Sequence, residues 1–241
     1  MTVSDVLSDA LAVYRRLIRR SIVVAGLVFA VIALADALAA RAETRATAFV
    51  SLLLALVGGL LVQGALVEVV RDLHEGRTTT RVSAYYNRTR GRLGTLLGAS
   101  LLYGIGVVGG FLLFVVPGLI LLARWTLVVP LVVVEGLGVR QAFARSAMLV
   151  SGRTGRVLVL VVASSLITGL AATFITLAFG FLPTFPATWL GGTVAGAIAA
   201  PYQAHVLTVL YYKLTEPERP VLPEQPPDDR WRSVWDEEPP A

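Results

Sequence analysis

Apolar side chains come in long runs along this chain, and the charged residues between them are mostly arginines. Each run holds about 18 residues or more, enough at ~1.5 Å of helical rise per residue to cross a ~30 Å hydrocarbon core. The pattern predicts six helices, over about 18–40, 46–70, 93–115, 118–134, 156–181 and 187–212. The fold class it implies is all-α, a polytopic six-helix transmembrane bundle. Pro130 and Pro201 fall inside two of the spans, where each removes an amide donor and bends its helix.

Three segments on the inner side of the spans show a helical period of their own. In TVSDVLSDALAVYRRLIRR, Val3, Leu7, Leu11, Tyr14 and Ile18 recur at helical spacing. Thr2 is placed to cap that helix, with Asp5 near its positive end. GVRQAFARSAMLVSGR sets Val139, Phe143 and Val150 against Arg140 and Arg145 and stops at Gly152. TTTRVSAYYNRTRGRL sets Val82, Tyr85 and Tyr86 against arginines. These stretches predict cytoplasmic interfacial amphipathic helices, whose arginines meet the anionic headgroups of the bilayer. The expected organisation is therefore an interfacial helix over 1–17, a transmembrane domain over 18–213 and a tail over 214–241.

The tail changes character abruptly. From Thr215 onward it holds seven of the twelve prolines and eight of the sixteen acidic residues. Such a segment cannot bury a core, and disorder is expected. Trp231 and Trp235 are four residues apart, which would place both on one face of a short helix. That makes them the point at which a protein partner would dock, with plain contact between tail and bilayer as the simpler reading.

Composition agrees with a membrane protein: 56% of 241 residues are hydrophobic, 15% are charged, and the mean hydropathy is +0.73. Cysteine is absent, which removes disulfides, thiolate nucleophiles and cysteine-bound metals. With the N-terminus in the cytoplasm, only Arg41 and Arg45 lie outside and only Arg124 lies within a span; nearly every other basic residue falls inside. This positive-inside pattern predicts cytoplasmic N- and C-termini in an inner or plasma membrane. Arg15-Arg16 and Arg19-Arg20 ahead of SIVVAGLVFAVIALADALAA resemble the start of a signal peptide. The basic cluster lies late, however, and five more spans follow, so an uncleaved first span is expected.

Motifs for chemistry are sparse. His74 and His205 are the two histidines, and neither has metal-binding spacing; no GxSxG elbow occurs, and GRTGRVL lacks the Lys-Ser/Thr that grips phosphate. Asn87-Arg88-Thr89 matches a glycosylation triplet but falls on the cytoplasmic side. The chain therefore reads as a non-enzyme without cofactor, metal or nucleic-acid partner. Packing signals are richer. Gly106 with Gly110, and Gly192 with Gly196, form GxxxG pairs that let helices approach closely, more simply within one bundle than between two.

Ionisable and amide groups inside the spans are candidates for function. By depth they form two groups: Gln63, Glu68, Gln203 and His205 in the inner half, Asp36 and Arg124 in the outer half. Asp36 is the acid that shares a layer with Arg124, so a bridge between the first and fourth helices is expected, with snorkelling of Arg124 to the headgroups as the competing account.

The chain also resembles bacterial six-span proteins related to the membrane domain attached to some glycerophosphoryl diester phosphodiesterases. The resemblance covers about residues 3–213. It is carried by VSDVLSDALAVYRR, LVQGALVEVVRDLHEGR and, most specifically, by Pro117, Arg124, Pro130, Glu135, Ala142, Arg145, Ser146 and Gly152. It implies a six-helix inner-membrane protein, commonly without an assigned function and of actinobacterial type, and it brings no catalytic residues. The role expected is a non-catalytic membrane scaffold or accessory module. The alternative is a small transporter or channel that uses the intramembrane polar residues. A water-filled cavity reaching Gln63, Gln203 and His205 would favour transport, and a dry bundle would favour the scaffold.

Overall fold

A computed structural model of the chain describes residues 2–77 and 81–216. Regular structure among them is helical throughout. It runs α1 (Val3–Ala42), α2 (Arg45–His74), α3 (Val82–Arg90), α4 (Leu93–Leu113), α5 (Val115–Arg124), α6 (Val128–Pro130), a π-helical turn over Leu131–Glu135, α7 (Val139–Val150), α8 (Thr154–Ala178) and α9 (Thr184–Thr215). Six stretches are long and apolar enough to span a bilayer, with Val115–Glu135 as the fourth. The chain is a multi-pass membrane protein, and its spans fall where the apolar runs place them. The expected docking residues Trp231 and Trp235 lie outside the described residues.

Short connections at 43–44, 114 and 179–183 mark one end of the bundle, the hairpin end. The N-terminus, α3, α7 and residue 216 mark the other, the terminal end. α1, α2 and α9 are 40, 30 and 32 residues long. At ~1.5 Å per residue, a ~30 Å layer measured from the hairpin end stops near residue 22 in α1, 65 in α2 and 204 in α9. The rest of these helices extends past the hydrocarbon as a three-helix stem.

That stem changes the picture of the three amphipathic segments. Residues 3–17 do not form a separate surface helix; they continue into the first span without a break. Thr2 caps α1 as expected, through Asp5 N–H to Thr2 Oγ1 at 3.2 Å and Thr2 N–H to Asp5 Oδ2 at 2.7 Å. The buried stripe is Val6, Ala10, Val13 and Leu17, whereas Leu11 and Ile18 of the expected face are 39% and 38% exposed. The reason is steric: small and β-branched residues let α9 approach, and Lys213 of α9 closes the seam on Asp9 at 2.5 Å.

The other two segments also face protein rather than lipid. In α3, Tyr85 and Thr89 are buried, and Thr89 fills the groove left open by Gly64 of α2. Tyr86 donates to the Val24 carbonyl of α1, and burial pushes its phenol pKa up to about 12. In α7, Phe143 and Val150 are buried, and Phe143 meets Trp125 edge to face with centroids 4.9 Å apart.

Both GxxxG pairs serve contacts inside the bundle. A side chain at Gly196 would collide with Phe29 of α1, and Gly192 lies against Ala33. Gly106 receives the Trp125 ring, and Gly110 lies on the Gly118 backbone. These contacts clamp α9 to α1 and fold α5 back on α4.

Candidate functional site

The fourth span is broken. α5 stops at Arg124, residues 125–127 form a turn, and the chain resumes as α6 and the π-helical turn. Pro130 lacks the amide that would bond the carbonyl four residues back, at Thr126, which favours a break at this point. The freed groups are held by α7. Ser146, fully buried, donates to the Arg124 carbonyl at 2.6 Å and accepts from Leu127 N–H at 3.3 Å. Arg92 donates to the Val132 carbonyl at 3.3 Å. Glu135 accepts from the Tyr211 hydroxyl at 3.0 Å and lies 3.7 Å from Arg145. Gly152, which ends the α7 turn, adopts φ +75°, a conformation that favours glycine. Residues spaced far apart in the sequence thus form one unit that keeps the break open.

Beside the break lies a cavity of about 250 Å³. Gln63 of α2, Ser100 and Tyr103 of α4, Thr126 of the turn, Ser165 of α8 and Gln203 of α9 contribute its polar groups. Leu122, Trp125, Val128, Val129, Val161 and Leu207 supply most of its apolar wall. Among the described residues no charged side chain lines it. Gln63 and Gln203 lie 18 and 19 residues from the hairpin-end starts of α2 and α9, hence ~27–28 Å from that end. Trp125 sits nearer mid-membrane, against Gly106. The cavity therefore runs from the terminal-end boundary toward the centre of the bilayer. Gln203 Oε1 is itself buried without a hydrogen-bond partner, which is uncommon for an acceptor. Ser165 is the one exposed residue of the lining.

The expected inner polar group divides into three places. Gln63 and Gln203 share the cavity. Glu68 lies in an ion network of the stem: Arg71 reaches it at 3.4 Å and Arg88 at 3.5 Å, while Arg88 and Arg77 each hold Asp72 at 3.0 Å. His205 sits on the seam of α1 and α9, fully buried, with Nε2 3.3 Å from Ser21 Oγ and the Tyr14 ring 5.9 Å away. It does not line the cavity.

The expected bridge between Asp36 and Arg124 does not form. Asp36 accepts from Ser51 of the neighbouring α2, and Arg124 is exposed at the end of α5. Helix neighbours are the cause: α1 packs chiefly on α9 and α2, whereas α5 packs chiefly on α4 and α8. The charge of Arg124 still has a local rationale, because it closes the last turn of α5 at the negative end of the helix dipole.

Sequence reasoning missed Ser100, Tyr103, Thr126, Ser165 and Ser146. Hydroxyls in apolar helices commonly bond their own backbone, so no spacing singles these out. Ser146 alone carried a signal, as part of the motif behind the resemblance. No family model, curated protein or solved structure matches the chain.

Proposed function

We propose that this protein is a small-molecule carrier of the plasma membrane, with both termini in the cytoplasm. The observation that carries the reading is the cavity at the broken fourth span, mainly apolar and reached by Gln63 and Gln203. Broken helices beside an intramembrane cavity are the usual construction of transporter sites. The scaffold reading rests on few titratable residues in the bundle, on small-residue packing and on the tail; a dry bundle would favour it, and the cavity weighs against that. His205 lies outside the cavity, so the site is smaller than the polar residues of the sequence suggest. Arginine placement supports the orientation: Arg41 and Arg45 are the basic residues near the hairpin end, and Arg124 lies midway. The proposal is of a non-enzymatic protein, kin to the membrane domains that the sequence resembles.

Because the chain has no cysteine, one introduced thiol reports alone. Ser100→Cys, on the cavity, should react with methyl methanethiosulfonate in membrane vesicles at least tenfold faster than Ser164→Cys, which is fully buried off the cavity. Equal inertness of both would return the protein to the scaffold class.

A further inference from the structure

The two charges that fail to meet inside one chain carry an inference that does not depend on the carrier reading. We propose that they meet between chains: Asp36 of one copy pairs with Arg124 of the next, and copies join head to tail in the plane of the membrane.

Three observations converge on a second copy as the occupant of these surfaces. The first is charge. Among the described residues, Asp36 and Arg124 are the charged side chains that stand well inside the hydrocarbon layer, and they are opposite in sign. Both are exposed. Ser51 engages Asp36 Oδ1 and leaves Oδ2 open, and among the described residues no hydrogen bond or ion pair holds the Arg124 guanidinium. Charges left so in lipid are costly, and a carboxylate with a guanidinium is the pairing that relieves both. Snorkelling serves Arg124 alone and leaves Asp36 unanswered.

The second is depth. Asp36 lies six residues before the end of α1 and Arg124 nine after the start of α5, hence ~9 and ~13 Å from the hairpin end. Side chains tilt toward the N-terminus of their own helix. α1 runs toward the hairpin end and α5 away from it, so Asp36 leans deeper and Arg124 shallower, which narrows the gap. Copies inserted in one orientation hold each residue at one depth. A match of layers within the chain is therefore a match between chains.

The third is the choice of faces. α1 packs chiefly on α9 and α2, and α5 on α4 and α8, so the contact joins unlike surfaces. Such a heterologous contact closes into a ring or extends in a row. Neither GxxxG pair is free to serve it, because Phe29 and Ala33 cover one and Trp125 and Gly118 the other. Beside Asp36, the exposed Ala40 and half-buried Ala39 present little bulk, which lets a neighbouring helix approach closely. Within a solitary copy the two charges remain independent.

The test mixes two differently tagged forms of the full chain, reconstituted together in liposomes at a dilute protein-to-lipid ratio. One form carries Ala40→Cys, a turn from Asp36; the other carries Ile120→Cys, a turn from Arg124, and the chain has no cysteine of its own. A short bis-methanethiosulfonate should join the two forms to each other in preference to either form with itself. Asp36→Asn in the first form, or Arg124→Gln in the second, should lower the mixed yield about tenfold, the scale on which close interfacial charge pairs act. Exchanging the charges, with Asp36→Arg in the first form and Arg124→Asp in the second, should restore it. A mixed yield no higher than the self yields, or one that neutralisation leaves unchanged, would overturn the pairing and return Arg124 to the headgroups. The comparison of mixed with self yields keeps both native charges, so it decides even where a charge variant folds poorly.

Discussion

Arg124 is the residue that most tempts an electrostatic reading. It ends α5 nine residues from Val115, hence ~13 Å from the hairpin end. A cation near the bilayer centre costs roughly 2.5–3.5 kcal/mol on insertion scales. A carboxylate partner would relieve part of that cost, but Asp36 is engaged by Ser51 on α2. What remains is the helix dipole, at ~0.3–1 kcal/mol, and a long stem that can lift the guanidinium toward the headgroups. Asp36→Asn and Arg124→Gln should therefore have additive effects on thermal stability, within ~0.5 kcal/mol of the sum of the single changes. A coupling of 2 kcal/mol or more between them, again on the scale of contacting residues, would restore the bridge. Depth was legible in the sequence from residue counting. Helix neighbours were not, because α1 packs chiefly on α9 and α2 while α5 packs chiefly on α4 and α8, and residue counting carries no neighbour order.

At the scale of elements, the amphipathic segments teach a similar lesson. The periods of α1, α3 and α7 were visible in the sequence, and each of the three segments is helical. Their surroundings were not visible. Val82, Tyr85 and Tyr86 look like a lipid-facing stripe until Gly64 on α2 is seen to open a groove for Thr89. In α1 the protein-facing stripe is the smaller one, Val6, Ala10 and Val13, and hydropathy alone ranks the larger neighbours above it. Gly64→Val should displace α3 and destabilise the protein by ~1–3 kcal/mol, as overpacking does. Gly59→Val, five residues away with open space around its Cα, should cost under ~0.5 kcal/mol by the same melting measurement. Equal effects would mean that α3 is not seated in that groove.

For the whole molecule, span number and helical class followed from hydropathy, whereas the stem and the cavity depend on how separate helices meet. α1, α2 and α9 outrun the bilayer at the terminal end, and the arginines gather there. Single cysteines at Thr44 and Thr184 should therefore be labelled by an impermeant reagent on intact cells, and one at Ser83 should not; the reverse pattern would invert the orientation. A carrier function requires the cavity beside Trp125 to be a loading site and not a packing fault. Its most direct test places Ser100→Cys in vesicles of known orientation and applies a small membrane-impermeant thiol reagent to one face at a time. A carrier site filled from one face and emptied to the other predicts labelling from both. Labelling from one face alone, or from neither, would contradict it.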